Sequence, residues 1–280
     1  MWLPWQDAVW LAIGLAGMAI VMRVRVPSRR WLWVRDLAKE SAVLSILYAT
    51  WQFVGIRSRG DASNAVSHGF AIVRFEDALR LPTEAQLQHL ALHSHLIIKA
   101  ANVYYIAGHV PVIGILLVWL YVRHRPDFAR WRTVLAVGSI VGECLQAYPV
   151  APPRLTLSSI VDTMRLYGPR VYSNDGAGFA PQLAAMPSLH CVWAITVGAA
   201  VFCVAKSRWR WIGPAHAVVT VLVVVVTGNH YWLDALAAIP LVLLGLAVAD
   251  TSAYVRRRRR AETAEASPVS QVERGTSIRI

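Results

Sequence analysis

His190 and His230 each stand where a polar stretch runs into an apolar one, and each has a chemically useful neighbour. In MPSLH, residues 186–190, Pro187 suits the first turn of a helix, where its missing N–H costs nothing. The free N–H groups of such a turn, with the positive end of the helix dipole, make a seat for an anion. Ser188 adds a hydroxyl to that seat, and His190 lies one turn inside. In TGNHYWLDALA, residues 227–237, His230 and Asp234 are spaced i,i+4, so on a helix they share a face. A carboxylate so placed fixes one imidazole nitrogen and makes the other a better nucleophile. In AYPVAPPRL, residues 147–155, Pro149, Pro152 and Pro153 end an apolar block and hold Arg154 near the membrane surface. A guanidinium at that depth calls for an anion, and its fork matches phosphate oxygens.

Two imidazoles, one buttressed by Asp, beside an Arg and a helix N-terminus suit phosphoryl transfer through a phosphohistidine. One His attacks phosphorus, the other protonates the leaving oxygen, and cations and N–H donors hold the remaining oxygens. The machinery requires the two imidazoles within ~8 Å of each other at one membrane surface. The chemistry calls for no metal and no cofactor. Tyr105 and His109, also i,i+4, share a face inside the outer half of a span, where polar side chains need a partner or a wet cavity. They belong either to the reaction centre or to ordinary helix–helix hydrogen bonding. His89 and His93 repeat the spacing without the acid or Cys that would complete a metal set, and read as solvated interfacial side chains.

The elements that must position these residues are membrane helices. The chain has 280 residues, 56% hydrophobic and only 16% charged, with 12 Trp. Apolar blocks at 5–24, 40–56, 100–122, 133–148, 188–205, 211–227 and 234–250 give six or seven crossings, because the second and fourth are short. The fold expected is therefore an all-α polytopic membrane bundle. Trp5–Met22 has no basic flank before it and no small-residue cleavage site after it, so it is expected to stay as a span. The formal charge of +12 falls in every second connection: Arg23–Arg35, Arg123–Arg132, Lys206–Arg210 and Arg256–Arg260. That alternation is the positive-inside pattern, with the N-terminus outside and the C-terminus cytoplasmic. It argues for anionic lipid headgroups as partners and against nucleic acid, which needs one contiguous basic face. Cys144, Cys191 and Cys203 have neither metal-ligand nor disulfide spacing and read as packing residues.

Four regions follow: N-terminal spans over 1–56, an extracytoplasmic interfacial segment over 57–98, a catalytic core over 99–250, and a disordered basic tail over 251–280. Within the second, a short interfacial helix ends at Pro82. Thr83 with Gln86 then makes a capping box for a helix that runs toward the third span.

The stretches YPVAPPRL, MPSLH and GNHYWLD resemble, in order and spacing, the type-2 phosphatidic acid phosphatase superfamily, and within it the inositolphosphotransferase branch that includes inositol phosphorylceramide synthases. The resemblance covers roughly residues 100–250. It implies His230 as nucleophile, Asp234 as its orienting acid, His190 as general acid/base, Arg154 as phosphate ligand and Ser188 in the phosphate pocket. Ala147 stands where the phosphatase pattern has Lys, Leu189 where it has Gly, and Val223 and Val224 where it has a Ser-Arg pair. Losses of this kind are shared by the transferase branch. They leave Asn229, Tyr231 and Tyr105 as substitutes for the missing donors.

The function expected is an integral membrane phosphatase or phosphotransferase acting on a lipid phosphate at the outer face. Water and an inositol-type alcohol both remain open as acceptor. The alternative is a transporter or flippase with a His/Asp proton relay, although polar residues gathered at one surface favour the enzyme. A catalytically silent scaffold is the third. Oligomeric state is not encoded in these motifs.

Overall fold

The computed structural model describes residues 3–25, 31–57, 62–168 and 183–265, and these form twelve α-helices with no strand among them. Helices α1 (Trp5–Arg25) and α2 (Leu32–Arg57) pair as a hairpin, and α2 leans on α7 (Arg125–Leu145). The centre of the bundle is α7, α10 (Leu189–Val204), α11 (Ile212–Val226) and α12 (Trp232–Glu265), joined by α6 (His109–Arg123). Around one end lie α3 (Ala62–Ala78), α4 (Glu84–Leu92), α5 (His95–Ala107) and the short α8 (Pro153–Thr156) and α9 (Thr163–Tyr167). The core is built on Leu120, Trp131, Val134, Val192, Val224 and Ala238, with a few buried polar side chains such as Ser139, Glu143, Thr196 and Thr220 among the same helices. Side chains such as Trp10, Leu96, Val110 and Ile115 point outward uncovered, as in a bundle solvated by lipid.

All seven apolar blocks fall on helices. Trp5–Val24, Arg208–Val226 and Trp232–Val255 are long and apolar enough to cross a membrane, and the bent pair α5–α6 adds a fourth. Helices α2 and α7 open with charged turns, and α10 has only 16 residues. Small residues let the central helices approach. A Cβ on Gly213 would stand 2.7 Å from the Gly198 carbonyl oxygen, and one on Gly245 would stand 2.9 Å from Val134 Cα.

The bundle has two distinct ends. Arg130 grips Asp250 with both arms of its fork, at 2.7 and 2.9 Å, which places the start of α7 beside the far part of α12. At the other end Gln146 Nε2 donates to the Pro187 carbonyl at 2.9 Å. The connections over 123–132 and 206–210 therefore lie opposite the end that carries Arg154, His190 and His230.

Several expectations need correction. The Thr83–Gln86 capping box forms, but its helix does not reach the third span: it stops at Leu92, and Ser94 caps a new helix. The third block is itself broken at Gly108 by a 53° bend between α5 and α6. Pro187 precedes the helix it was expected to open; Ser188 is the N-cap and Leu189 the first residue of α10. The tail expected to be disordered from 251 continues α12 to Glu265, because 251–265 contain no Gly or Pro and are rich in Ala, Arg and Glu; residues 266–280 lie outside the described residues. Of the three free cysteines only Cys191 packs in the core; Cys144 and Cys203 are exposed.

Candidate active site

The three stretches singled out in the sequence converge through their backbones before any side chain is considered. The proline-rich segment lies alongside the one preceding α10: Val150 N–H donates to Leu183 at 2.8 Å and Ala185 N–H to Val150 at 3.1 Å. The same segment meets the approach to α12, where Arg154 N–H donates to Gly228 at 3.0 Å. Gly228 has φ +69°, and a Cβ there would meet Ile160 at 2.7 Å and Arg154 Cβ at 3.3 Å. Only glycine allows that left-handed close approach without strain. The third link is a side chain, His230, whose Nδ1 lies 2.8 Å from the Ala185 carbonyl.

That link also sets the chemistry of His230. Nδ1 faces two acceptors, the Ala185 carbonyl and Asp234 Oδ2 at 3.0 Å, so the proton resides on Nδ1. Nε2 is then the bare nitrogen. It is buried and has no hydrogen-bond partner among the described residues. Asp234 is fully buried at the start of α12, and its Oδ2 also accepts the Tyr231 N–H at 3.0 Å. The carboxylate thus caps its own helix and orients the imidazole with one oxygen.

His190, in the first turn of α10, stands beside the His230 ring. The two imidazole centroids are 5.7 Å apart, inside the ~8 Å that phosphoryl transfer between them requires. Ser188 is completely buried, and its hydroxyl oxygen accepts the Cys191 N–H at 3.3 Å. Tyr105 stacks on His190 at 4.4 Å and stands 6.2 Å from His230. His109 meets His190 edge-on at 4.6 Å, and neither of its ring nitrogens has a hydrogen-bond partner among the described residues. The bend at Gly108 turns both side chains inward. Tyr105 and His109, on either side of the Gly108 break, thus both stand against the ring of His190.

Arg154 is buried in α8, with its Nε 3.5 Å from Asp162 Oδ2 at the edge of the same end. Asn229 is buried, and its amide donates to Thr227 Oγ1 at 2.9 Å. Tyr231 departs from expectation. Its ring is fully buried, and its hydroxyl donates to the Ala151 carbonyl at 2.8 Å beside Thr156 Oγ1 at 2.9 Å. It braces the proline-rich segment against the His230 turn rather than offering its O–H to a phosphate. Leu189, in the place of a glycine, fills the space over Gly142 and packs α10 onto α7.

Some residues at this end carried no sequence signal. Gln88, fully buried on α4, donates to the Val161 and Val226 carbonyls at 3.0 Å each and accepts the Val161 N–H. Tyr104 hydroxyl lies 2.8 Å from His216 Nδ1 and 2.9 Å from Thr220 Oγ1, behind His109. Glu76 accepts a backbone N–H at the start of α12. Each is one polar residue in a mixed stretch, meaningful only beside its partner. His89 and His93 stay together at 4.9 Å between ring centroids, with His93 Nδ1 on the His89 carbonyl.

A profile described as the PAP2 superfamily matches residues 70–248, from α3 to α12, and so includes all three stretches. No curated protein and no solved structure gives a significant match.

Proposed function

The chain belongs to the PAP2 superfamily, whose members are in general lipid phosphatases or phosphotransferases, and from that premise we propose a phosphohistidine route on a lipid phosphate. His230 Nε2 attacks phosphorus while Nδ1–H stays on the Ala185 carbonyl and Asp234. The imidazole becomes a cation as the N–P bond forms, and the Asp234 carboxylate offsets that charge. His190 donates a proton to the departing lipid oxygen, then takes one from the incoming acceptor. Arg154 and the N–H groups opening α10 hold the non-bridging oxygens. The observation that carries this reading is the state of His230: Nδ1 held by two acceptors, Nε2 without a partner among the described residues, and a second imidazole 5.7 Å away between ring centroids.

The site faces the extracytoplasmic side on this reading, because the basic connections lie at the opposite end and positive connections stay in the cytoplasm. The acceptor is an inositol-type alcohol or water. The resemblance of MPSLH and GNHYWLD to the inositolphosphotransferase branch supports the first. Purified protein incubated with labelled lipid phosphates, with and without inositol, decides between them by free phosphate against transferred product. Label should also reside on the protein in an acid-labile, alkali-stable bond and vanish in His230→Ala. Full turnover by His230→Ala would exclude the covalent route.

A further inference from the structure

The first turn of α12 carries both Asp234 and, through it, the orientation of His230, so whatever holds that turn governs the site. Its N–H groups must be satisfied from outside the helix. Asp234 takes the Tyr231 N–H. The Leu233 N–H goes elsewhere: it donates to Glu76 Oε1 at 2.7 Å, a carboxyl group reaching across from α3. A cap supplied by another helix, 157 residues away in sequence, locks the turn against tertiary structure rather than against its own chain.

Glu76 does not act alone. After α3, Arg80 takes a left-handed conformation with φ 55°, and the chain doubles back so that Glu84, the first residue of α4, lines the same small cavity as Glu76. Both side chains are buried, at 5% and 3% exposure. Two carboxyls so placed share a proton rather than carry two charges. Burial, and then the neighbouring Glu84 carboxyl, push the Glu76 carboxyl up to about 9. A neutral Glu76 caps the helix without setting a second negative charge beside Asp234, whose charge the reaction uses.

We propose that Glu76 is a positioning residue for the His230–Asp234 pair, fixing the first turn of α12 through the Leu233 N–H as half of a two-carboxyl unit with Glu84. This rests on His230 being the nucleophile. Glu76 touches neither imidazole; its effect is on where Asp234 stands and hence on how closely the Asp234 charge answers His230 Nδ1–H.

The test uses the full-length protein in detergent micelles, dioctanoyl phosphatidic acid as probe, and two variants. Glu76→Gln keeps an oxygen for Leu233 and a donor for Glu84, and should leave kcat and KM within about twofold of wild type. Glu76→Asp is one methylene too short to reach, and should lower kcat about tenfold or more at unchanged KM, as a misplacement of ~1 Å does. Spectra of 15N-histidine-labelled protein should show His230 as the Nδ1–H tautomer in all three proteins, with its Nδ1–H proton far downfield in wild type and Glu76→Gln, where Asp234 holds it, and moved upfield in Glu76→Asp. Wild-type kcat in Glu76→Asp, equal losses in the two variants, or a change in KM alone would overturn the proposal. Failure of the underlying route looks different: His230→Ala would then stay active, while the Nδ1–H resonance of His230 in Glu76→Asp would still decide what Glu76 does.

Discussion

Replacing Asp234 by Asn removes one charge and almost no volume from a fully buried position. In triads where the acid alone selects the tautomer, such a change costs about 10⁴-fold, because the imidazole flips its proton. Here the Ala185 carbonyl holds the Nδ1 proton independently, at 2.8 Å, so the tautomer should survive. On the proposed route, what would be lost is the charge that answers the phosphoimidazolium. With Asp234 Oδ2 3.0 Å from Nδ1, the charge centres lie about 4 Å apart, worth ~4 kcal/mol at an effective dielectric constant of 20. At 1.36 kcal/mol per factor of ten, that is a loss of about 10³-fold in phosphorylation of the enzyme. Rapid quench with labelled lipid phosphate reads that step directly, as protein-bound label against time. A variant retaining a tenth or more of the wild-type rate would refute the electrostatic argument. A loss of 10⁴-fold or more, with His230 found protonated on Nε2, would show that the carbonyl does not hold the tautomer.

His190→Ala should slow cleavage of alkyl phosphates by about 10²–10⁴-fold and that of a nitrophenyl phosphate much less, since the latter needs no proton on its leaving group; equal losses on both would remove His190 from that role. Gly69→Ala puts a Cβ 2.5 Å from Thr156 Oγ1 and 2.7 Å from the Tyr231 hydroxyl, where α3 crosses the brace beside His230. It should cost about 1–3 kcal/mol of stability and lower kcat, and a wild-type melting temperature and turnover would show that α3 does not bear on the turn. Glu76, with its carboxyl raised from 4.5 to about 9, keeps its proton in the folded protein over a range where the unfolded chain has released it. Folding stability contributed by this group is therefore full below pH 4.5 and falls as pH rises toward 9. Thermal unfolding of wild type minus Glu76→Gln across that range should show the decline, and a difference independent of pH would contradict it.

Much of the molecule was legible in the residues because local physics decides it. Long apolar runs must fold as helices in a bilayer, Arg placement marks one end of the bundle, and an Asp four residues after His230 pairs with it even though α12 begins only at Trp232. The capping box at Thr83 and Gln86 is a property of four consecutive residues, and it formed where expected. The errors were of range. Whether α4 runs on into α5, or the third block bends at Gly108, depends on what packs against those turns. The Tyr231 hydroxyl looked available because its takers, Ala151 and Thr156, lie 80 and 75 residues away.

The amino-acid sequence by itself determined most of the helices and the three stretches that supply Arg154, His190, His230 and Asp234, since each is set by neighbours within a turn or two. Only the tertiary structure decided which nitrogen of His230 bears the proton, that His109 joins His190, and that an acid on α3 caps α12. Those are contacts between segments far apart in the chain, and no periodicity or propensity encodes a hydrogen bond whose acceptor arrives from another helix.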